Sequence, residues 1–156
     1  MGVNLEKLNR STAKRLFGEI INKAERGEEI IVIDALRNKG DEKNAVSIIS
    51  TQSLDNLFSR IAPFKLIWEY DQILKGYTVT IEGLSTVYGE GNTKEEAIED
   101  LIDALLEYTE LYYSNIEWFT SENSATNFDF PFLRRIARCN GDREKIKQLF
   151  VEEKCQ

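Results

Sequence analysis

The fold of this chain is decided by residues 10–57, which read RSTAKRLFGEIINKAERGEEIIVIDALRNKGDEKNAVSIISTQSLDNL. Apolar residues recur at helical spacing as far as a glycine, and two β-branched runs follow, at 30–33 and 45–49. A polar turn at 38–43 separates the two runs, and an amphipathic segment that starts at Ser53 ends the stretch. This order predicts a helix, a β-hairpin and a second helix that together form one compact unit.

The ends of the two predicted helices carry residues that favour capping. Ser11 or Thr12 offers an N-cap for the first helix, and Gly27 is able to adopt the left-handed conformation that ends it. Ser53 is the expected cap of the second helix, which ends before Pro63 because proline disfavours a helical residue ahead of it. The residues that precede the first helix are compatible with a short strand or an arm.

The chain after Pro63 predicts a small antiparallel sheet and a long helix. Alternating residues predict three strands, at 64–71, 76–82 and 84–88. The segment Gly89–Asn92 is expected to be a turn, and Thr93 and Glu96 form a capping box that begins a helix. This helix is expected to end near Tyr113.

The long helix carries an apolar stripe and an acidic stripe. The apolar positions are Ala97, Ile98, Leu101, Ile102, Leu105 and Leu106. The acidic positions are Glu96, Glu99, Asp103, Glu107 and Glu110. The apolar stripe is therefore expected to be buried, and the acidic stripe either keeps the protein soluble or faces a basic partner.

The remaining residues predict a loop and two basic helices. Residues 114–129 lack periodicity and are expected to form a loop, in which Trp118 and Phe119 either pack on the sheet or anchor a partner. Pro131 begins one helix at its first turn, and Asp142 caps a last helix. These basic helices either close the acidic domain or reach a nucleic acid or a partner.

Together these patterns predict an α+β fold with two domains, 1–63 and 64–156. The first is a helix–hairpin–helix unit, and the second is an acidic sheet with a long helix and C-terminal helices. The length of 156 residues allows one domain or two small ones. No Gly-, Pro- or Ser-rich linker marks the predicted boundary.

The composition excludes several kinds of chemistry. The chain contains no histidine, which excludes Ser-His and Cys-His nucleophile pairs and histidine-based metal sites. Cys139 and Cys155 are expected to be reduced thiols, and no metal or other cofactor is expected. No stretch approaches the roughly twenty apolar residues that span a bilayer, and the N-terminus does not resemble a signal peptide. A cytoplasmic protein without a membrane partner is therefore expected.

The net charge of −7 is unevenly distributed along the chain. Residues 65–130 hold fourteen acidic and three basic residues, whereas residues 1–26 hold six basic and three acidic residues. Basic and hydroxyl side chains at the start of the first helix are suited to contact phosphates and groove edges. These candidate DNA contacts are Arg10, Ser11, Thr12, Lys14 and Arg15.

Residues 3–60 resemble the Phd/YefM family of antitoxins. The resemblance is carried by Ser11-x-Ala13-Lys14, the apolar positions Phe17 and Ile21, the two predicted strands and Ser53-Leu-Asp-Asn-Leu. Two features depart from the family, which usually has arginine in place of Lys14 and a hairpin turn shorter than Ala35–Asn44. Lysine contacts phosphate but lacks the bidentate fork of arginine that reads guanine. The resemblance implies a homodimer, with the first helices side by side, that binds operator DNA.

Residues 66–113 resemble the HicB antitoxin domain, a small unit with a degenerate RNase H-like fold. The resemblance is carried by Gly76-Tyr-Thr-Val-Thr-Ile, by Leu84 and by Gly89-x-Gly-Asn-Thr-x-Glu-Glu-Ala97. Glu82-Gly83 stands where the family usually has Pro-Asp, and Thr86-Val-Tyr stands where it has small residues. In that family the domain docks on a toxin, which implies a toxin-binding role for the second domain.

The two resemblances together imply a type II antitoxin, not an enzyme, which binds a cognate toxin and represses its own operon. Toxins of such systems are often basic ribonucleases, and an acidic surface suits them. The candidate toxin contacts are Trp118, Phe119, Glu99, Asp103 and Glu107.

Two alternative functions stay open. One is a stand-alone DNA-binding transcriptional regulator that has no toxin. The other is a metal-dependent nuclease with an RNase H-like fold, in which carboxylates gather around two Mg²⁺ ions. Its candidate ligands are Asp71, Glu82, Asp100 and Asp103.

Overall fold

The computed structural model describes residues 4–34, 44–122, 124 and 126–151. The chain forms two compact units, Met1–Leu57 and Phe58–Gln156, which we call the N-terminal unit and the C-terminal unit. The division falls within a helix, whereas the sequence places the domain boundary at Pro63. Both units contain strands and helices, so the predicted α+β class is confirmed.

The N-terminal unit is built on a three-stranded sheet. Its elements, in chain order, are β1 Glu6–Asn9, α1 Arg10–Arg15, α2 Phe17–Glu25, β2 Ile30–Ile33, β3 Val46–Ile48 and the start of α3 Thr51–Ile61. β2 is the central strand, because β1 pairs with it in parallel and β3 pairs with it antiparallel. Both predicted strands are therefore confirmed, while the predicted turn at 38–43 lies outside the described residues.

The core of the N-terminal unit is small. Ala13 of α1, Ile20 of α2 and Ile30 of β2 are buried together. The partly buried residues that pack against them are Leu8, Val32 and Ile48. Each of the three strands therefore supplies an apolar residue to the same cluster as the two helices.

The first predicted helix is divided into two, and its cap differs from the prediction. The division falls at Leu16, whose φ of −100° and ψ of 17° interrupt the helical geometry. Asn9 Oδ1, rather than Ser11 or Thr12, caps α1 by accepting the Thr12 N–H at 2.8 Å. Asparagine is as effective an N-cap as serine. Because β1 pairs with β2 as far as Asn9, the helix starts directly after the strand. Gly27 has a φ of +96°, which confirms the predicted left-handed end.

α3 also starts earlier than the sequence predicts. The capping side chain is that of Ser50, not that of Ser53. Ser50 Oγ accepts the backbone N–H of Ser53 at 3.4 Å. The helix ends at Ile61, as expected from Pro63.

The C-terminal unit is built on a four-stranded sheet. Its elements after α3 are β4 Phe64–Asp71, β5 Gly76–Ile81, β6 Leu84–Gly91, α4 Lys94–Ser114, α5 Ile116–Phe119, a 3-10 turn at Asn127–Asp129, α6 Phe130–Ala137, α7 Arg143–Leu149 and β7 Phe150–Val151. The strand order is β6-β5-β4-β7, with β4, β5 and β6 antiparallel and β7 parallel to β4. The three predicted strands and the long helix are confirmed. The last helix, α7, ends at Leu149, and Phe150 begins β7.

The main core lies between this sheet and the helices α4, α6 and α7. Its fully buried side chains include Phe64 of β4, Val79 of β5 and Leu101 of α4. The buried apolar positions of α4 are Ala97, Leu101, Ile102, Leu105 and Tyr112. Ile98 and Leu106 are only partly buried. The predicted burial is therefore confirmed for the central positions of the apolar stripe, whereas these two positions at its sides remain partly exposed.

The segment Gly89–Asn92 is not the turn that the sequence predicts, because its first three residues continue β6. A Cβ atom at Gly89 would lie 2.1 Å from the Ala97 carbonyl oxygen and 2.5 Å from the Leu101 nitrogen. One at Gly91 would lie 2.6 Å from the Ala97 nitrogen. These glycines therefore let the backbone of α4 approach the strand, a role that glycine fills inside strands.

The capping box of α4 is confirmed in part. Thr93 Oγ1 accepts the Glu96 N–H at 3.1 Å, as predicted. The Glu96 carboxylate reaches back one residue further than a standard box and accepts the Asn92 N–H at 2.8 Å.

The predicted loop at 114–129 contains structured segments, namely α5 and the 3-10 turn. Phe119 of α5 is buried, and its ring stacks on that of Tyr112 with 4.9 Å between the centroids. The buried Asp129 accepts hydrogen bonds from Thr86 and Tyr108. Individual side chains, rather than an apolar face at helical or strand spacing, attach this segment to the unit. For this reason its sequence shows no periodicity.

Candidate functional site

The candidate DNA contacts lie on α1, which follows directly from β1. Ala13 is buried against the sheet, which fixes the rotation of this short helix. At 3.6 residues per turn, Arg10, Ser11, Lys14 and Arg15 share one outward arc, whereas Thr12 lies to the side of it. The structure thus brings four of the five predicted residues together on an exposed surface.

The cations of this arc differ in their surroundings. Arg10 forms an ion pair with Asp34, with 3.6 Å between the charged atoms. Lys14 and Arg15 are exposed, and no ion pair is found for either among the described residues. Lys14 and Arg15 are therefore the cations of α1 that are most available to an external anion.

The N-terminal unit also exposes large apolar side chains. Phe17 of α2 and Val46 of β3 are 58% and 59% exposed, and Leu57 is half-exposed. A unit with so small a buried core gains little stability from it alone. These three side chains add to the apolar surface that the unit leaves exposed.

The acidic stripe of α4 divides between two surroundings. Glu99 and Asp103 face α7, where the Arg143 guanidinium contacts a carboxylate oxygen of each at 2.7 Å. Lys147 also forms an ion pair with Glu99. Hydrogen bonds from Lys147 and Arg143 lower the pKa of Glu99 below its ordinary value of 4.5. Two of the predicted toxin contacts are therefore occupied by an ion-pair cluster inside the C-terminal unit.

Glu107, the third predicted acidic contact, lies elsewhere on α4. It lines a groove of about 660 Å³ along β6, together with Tyr88, Tyr108 and Leu111. Glu107 is exposed, and no ion pair is found for it in the described part of the chain. Glu107 therefore differs from Glu99 and Asp103, which both form ion pairs with Arg143.

The two aromatic candidates, adjacent in sequence, also differ. Trp118 is 68% exposed, whereas Phe119 is buried between Tyr108 and Tyr112. Trp118 is therefore open to solvent, while Phe119 holds α5 on the unit.

The structure contains a buried polar group that sequence reasoning did not identify. Asp129 is 8% exposed, and its carboxylate accepts the Tyr108 hydroxyl at 2.7 Å and the Thr86 hydroxyl at 2.9 Å. Burial and the hydrogen bond to Asp129 raise the pKa of Tyr108 to about 12. No sequence spacing links residues so far apart, so only the fold reveals this group.

The four carboxylates of the nuclease alternative have separate partners. Asp71 accepts the amides of the turn after β4, and Glu82 forms an ion pair with Lys65 at 3.4 Å. Asp100 accepts the backbone N–H of Glu90, while Asp103 contacts Arg143 as described. Among the described residues no cluster of three potential metal ligands occurs. The fold thus does not bring these carboxylates together as two-metal catalysis requires.

A second feature that sequence reasoning missed is the turn between β4 and β5. Ile73 and Leu74 are 91% and 79% exposed at its tip. The Asp71 carboxylate holds this turn by accepting both of their amides, at 2.7 Å and 3.0 Å. An apolar pair that begins two residues after an aspartate, inside a turn between two strands, is the sequence signal that could have identified it.

Comparisons with known proteins agree on one class. A family model described as PHD-like, "Antitoxin of toxin-antitoxin, RelE / RelB, TA system", matches residues 1–151. A crystal structure of an antitoxin part of a proposed toxin/antitoxin system from Syntrophomonas wolfei subsp. wolfei is similar, with a TM-score of 0.71. It shares 17% sequence identity and covers 96% of this chain and 99% of that chain, so the similarity shows the fold alone. No curated protein matches the sequence.

These matches support the expected class at a coarse level. The Phd/YefM-like and HicB-like arrangements of the two units stay predictions, as do the individual contact residues. In the described part of the chain, no helix has the length and apolar character needed to cross a membrane.

Proposed function

The chain belongs to the PHD-like family of antitoxins, and from this premise we propose that it binds and neutralises a cognate toxin and represses its own operon. The C-terminal unit binds the toxin. The N-terminal unit forms a homodimer and binds operator DNA. This division follows the Phd/YefM-like and HicB-like roles expected from the sequence.

The distribution of charge between the units carries this proposal. Residues 1–57 hold nine basic and nine acidic side chains, whereas residues 58–156 hold eleven basic and eighteen acidic side chains. All of the net charge of −7 therefore belongs to the C-terminal unit. An acidic unit repels DNA and attracts a basic protein, so the charges favour separate partners for the two units.

The exposed arc of α1 supports DNA binding by the N-terminal unit. Lys14 and Arg15 are the phosphate contacts, and Ser11 supplies a hydroxyl donor beside them. Arg10 takes part when phosphate replaces Asp34 as its partner. Thr12 lies beside the arc and contributes less.

The exposed apolar residues of the N-terminal unit support a homodimer. Phe17, Val46 and Leu57 together with the small core indicate that a second copy completes the unit. A two-fold dimer would present two α1 arcs to the two halves of a symmetric operator.

Exposure and charge select the toxin contacts among the predicted residues. Trp118 and Glu107 are exposed, whereas Phe119 is buried and Glu99 and Asp103 are paired with cations of α7. We therefore assign direct contact to Trp118 and Glu107, and a supporting role to the other three. The family description names RelE/RelB systems, and a toxin of this kind, a basic ribonuclease, is the proposed partner.

Growth of cells that express the reading frame beside this chain's gene tests the proposed function. The frame alone is expected to arrest growth, and co-expression of this chain is expected to restore it, because the bound toxin is inactive. A version of this chain with an early stop codon is the control, since it separates an effect of the protein from one of its mRNA. Arrest that persists in the presence of the intact chain would contradict the proposal.

A further inference from the structure

We propose that the outer edge of β6, with the groove beside it, binds an extended, lysine- or arginine-containing segment of the toxin as an additional strand. This inference rests on the proposed function and names the site and the binding mode within it. Strand addition supplies affinity through backbone hydrogen bonds and specificity through the side chains on either side.

The sheet of the C-terminal unit leaves β6 at its edge. In the strand order β6-β5-β4-β7, no other described strand pairs with the outer side of β6. The Glu90 N–H donates to the Asp100 carboxylate at 2.8 Å, so this amide points away from β5. Residues two apart on an antiparallel strand point the same way, and Tyr88 and Glu90 lie in one regular stretch of the ladder. The N–H and C=O groups of Tyr88 therefore face outward as well.

The groove beside this edge is suited to hold side chains of an added strand. It has a volume of about 660 Å³ and lies between β6 and α4. Tyr88 and Leu111 on its walls are each 54% exposed, and Ala104 contributes further apolar surface. An apolar surface of this kind next to an unpaired strand edge is where peptide segments dock.

The charges of the groove select a basic partner segment. Glu90, Asp100 and Glu107 line it, and none of its lining residues is basic. The neighbouring carboxylates of α4, Glu99 and Asp103, have cations of α7 as partners. Glu90 and Glu107, in contrast, are exposed and have no ion pair among the described residues. A segment that alternates basic and apolar residues complements this surface, whereas a nucleic acid is repelled by it.

A pair of charge reversals on α4 tests this inference. The full chain is titrated with the purified product of the neighbouring reading frame, and the Kd is measured for each variant. Glu107→Lys is expected to raise the Kd about tenfold or more, because it places a like charge against a basic segment. Glu110→Lys makes the same charge change on the same helix outside the groove, and is expected to change the Kd by less than about threefold.

Hydrogen exchange of single amides tests the strand addition itself. The Tyr88 amide, which faces outward in the free protein, is expected to exchange more slowly once the toxin is bound. If the wild-type chain binds the toxin but the two variants have equal affinities and Tyr88 exchange is unchanged, the groove inference is overturned and the proposed function stands. If the wild-type chain does not bind the toxin at all, both fail.

Discussion

At the residue scale, Gly89 determines how closely α4 approaches the sheet. A Cβ atom at this position would overlap the backbone of Ala97 and Leu101. Both of those residues are fully buried, so neither has space to move aside. The glycine thus connects a strand, a helix and the groove of the C-terminal unit.

Gly89→Ala is therefore expected to destabilise the C-terminal unit by about 3 kcal/mol or more, because a buried backbone must move to admit the methyl group. Urea unfolding followed by tryptophan fluorescence measures this unit alone, since Trp68 and Trp118 both belong to it.

The matched control is Gly18→Ala in α2, where a Cβ atom would have no neighbour within 4 Å. This change is expected to leave the fluorescence midpoint unaltered and to stabilise α2 by roughly 0.5–1 kcal/mol. A Gly89→Ala protein with the urea midpoint of the wild type would show that α4 does not press on β6 as described.

At the scale of elements, α7 is joined to α4 by charge as well as by apolar packing. Ile146 of α7 is fully buried in the core, while Arg143 and Lys147 form the cluster with Glu99 and Asp103. Arg143 also donates to the backbone carbonyl of Glu99 at 3.3 Å. The cluster is partly exposed, so its contribution is reduced by solvent and by salt.

This cluster predicts a pH dependence of stability. The pKa of Glu99 is lower in the folded chain than its ordinary value of 4.5. Its stabilising contribution is therefore complete above pH 4.5 and is lost as the pH falls through the lowered pKa. Urea midpoints measured across this range are expected to fall less in Glu99→Gln than in the wild type, and the difference is expected to shrink at high salt.

Glu110→Gln supplies the control, because it removes one exposed carboxylate of α4 outside the cluster. It is expected to keep the wild-type pH dependence. If Glu99→Gln lost stability in acid as steeply as the wild type does, the ion pairs with α7 would contribute nothing measurable.

At the scale of the whole molecule, the sequence predicts the elements better than their contacts. The bounds of β4 and the extent of α4 follow from local periodicity, which is present in the residues themselves. The start of α1 cannot be predicted in this way, because Asn9, Ser11 and Thr12 are all suitable caps. The pairing of β1 with β2 determines which of them is used. Likewise, Gly89-x-Gly91 has the composition of a turn, and only the packing of α4 against it gives it another role.

The same distinction applies to the candidate sites. Helical spacing places Arg10, Lys14 and Arg15 on one side of α1, so local sequence predicts the arc. The different surroundings of Glu99 and Glu107 could not be predicted, because they depend on where α7 packs. Phe119 is buried through its stacking with Tyr112, a contact that no periodicity indicates.

The division of DNA binding and toxin binding between the two units is tested by measuring both binding activities in one variant, Lys14→Ala/Arg15→Ala. The full chain is titrated with DNA from upstream of its own gene at several salt concentrations, and separately with the neighbouring gene product. Lys145→Ala, which removes an exposed cation of the C-terminal unit, is the control and is expected to match the wild type in DNA binding.

We expect the double variant to lose DNA affinity, with the salt slope reduced by about 2 per protomer, because each cation releases about one counterion. Its affinity for the toxin is expected to equal that of the wild type. Unchanged DNA affinity and salt slope, or loss of both activities in a protein that remains folded, would contradict the division of DNA and toxin binding between the two units.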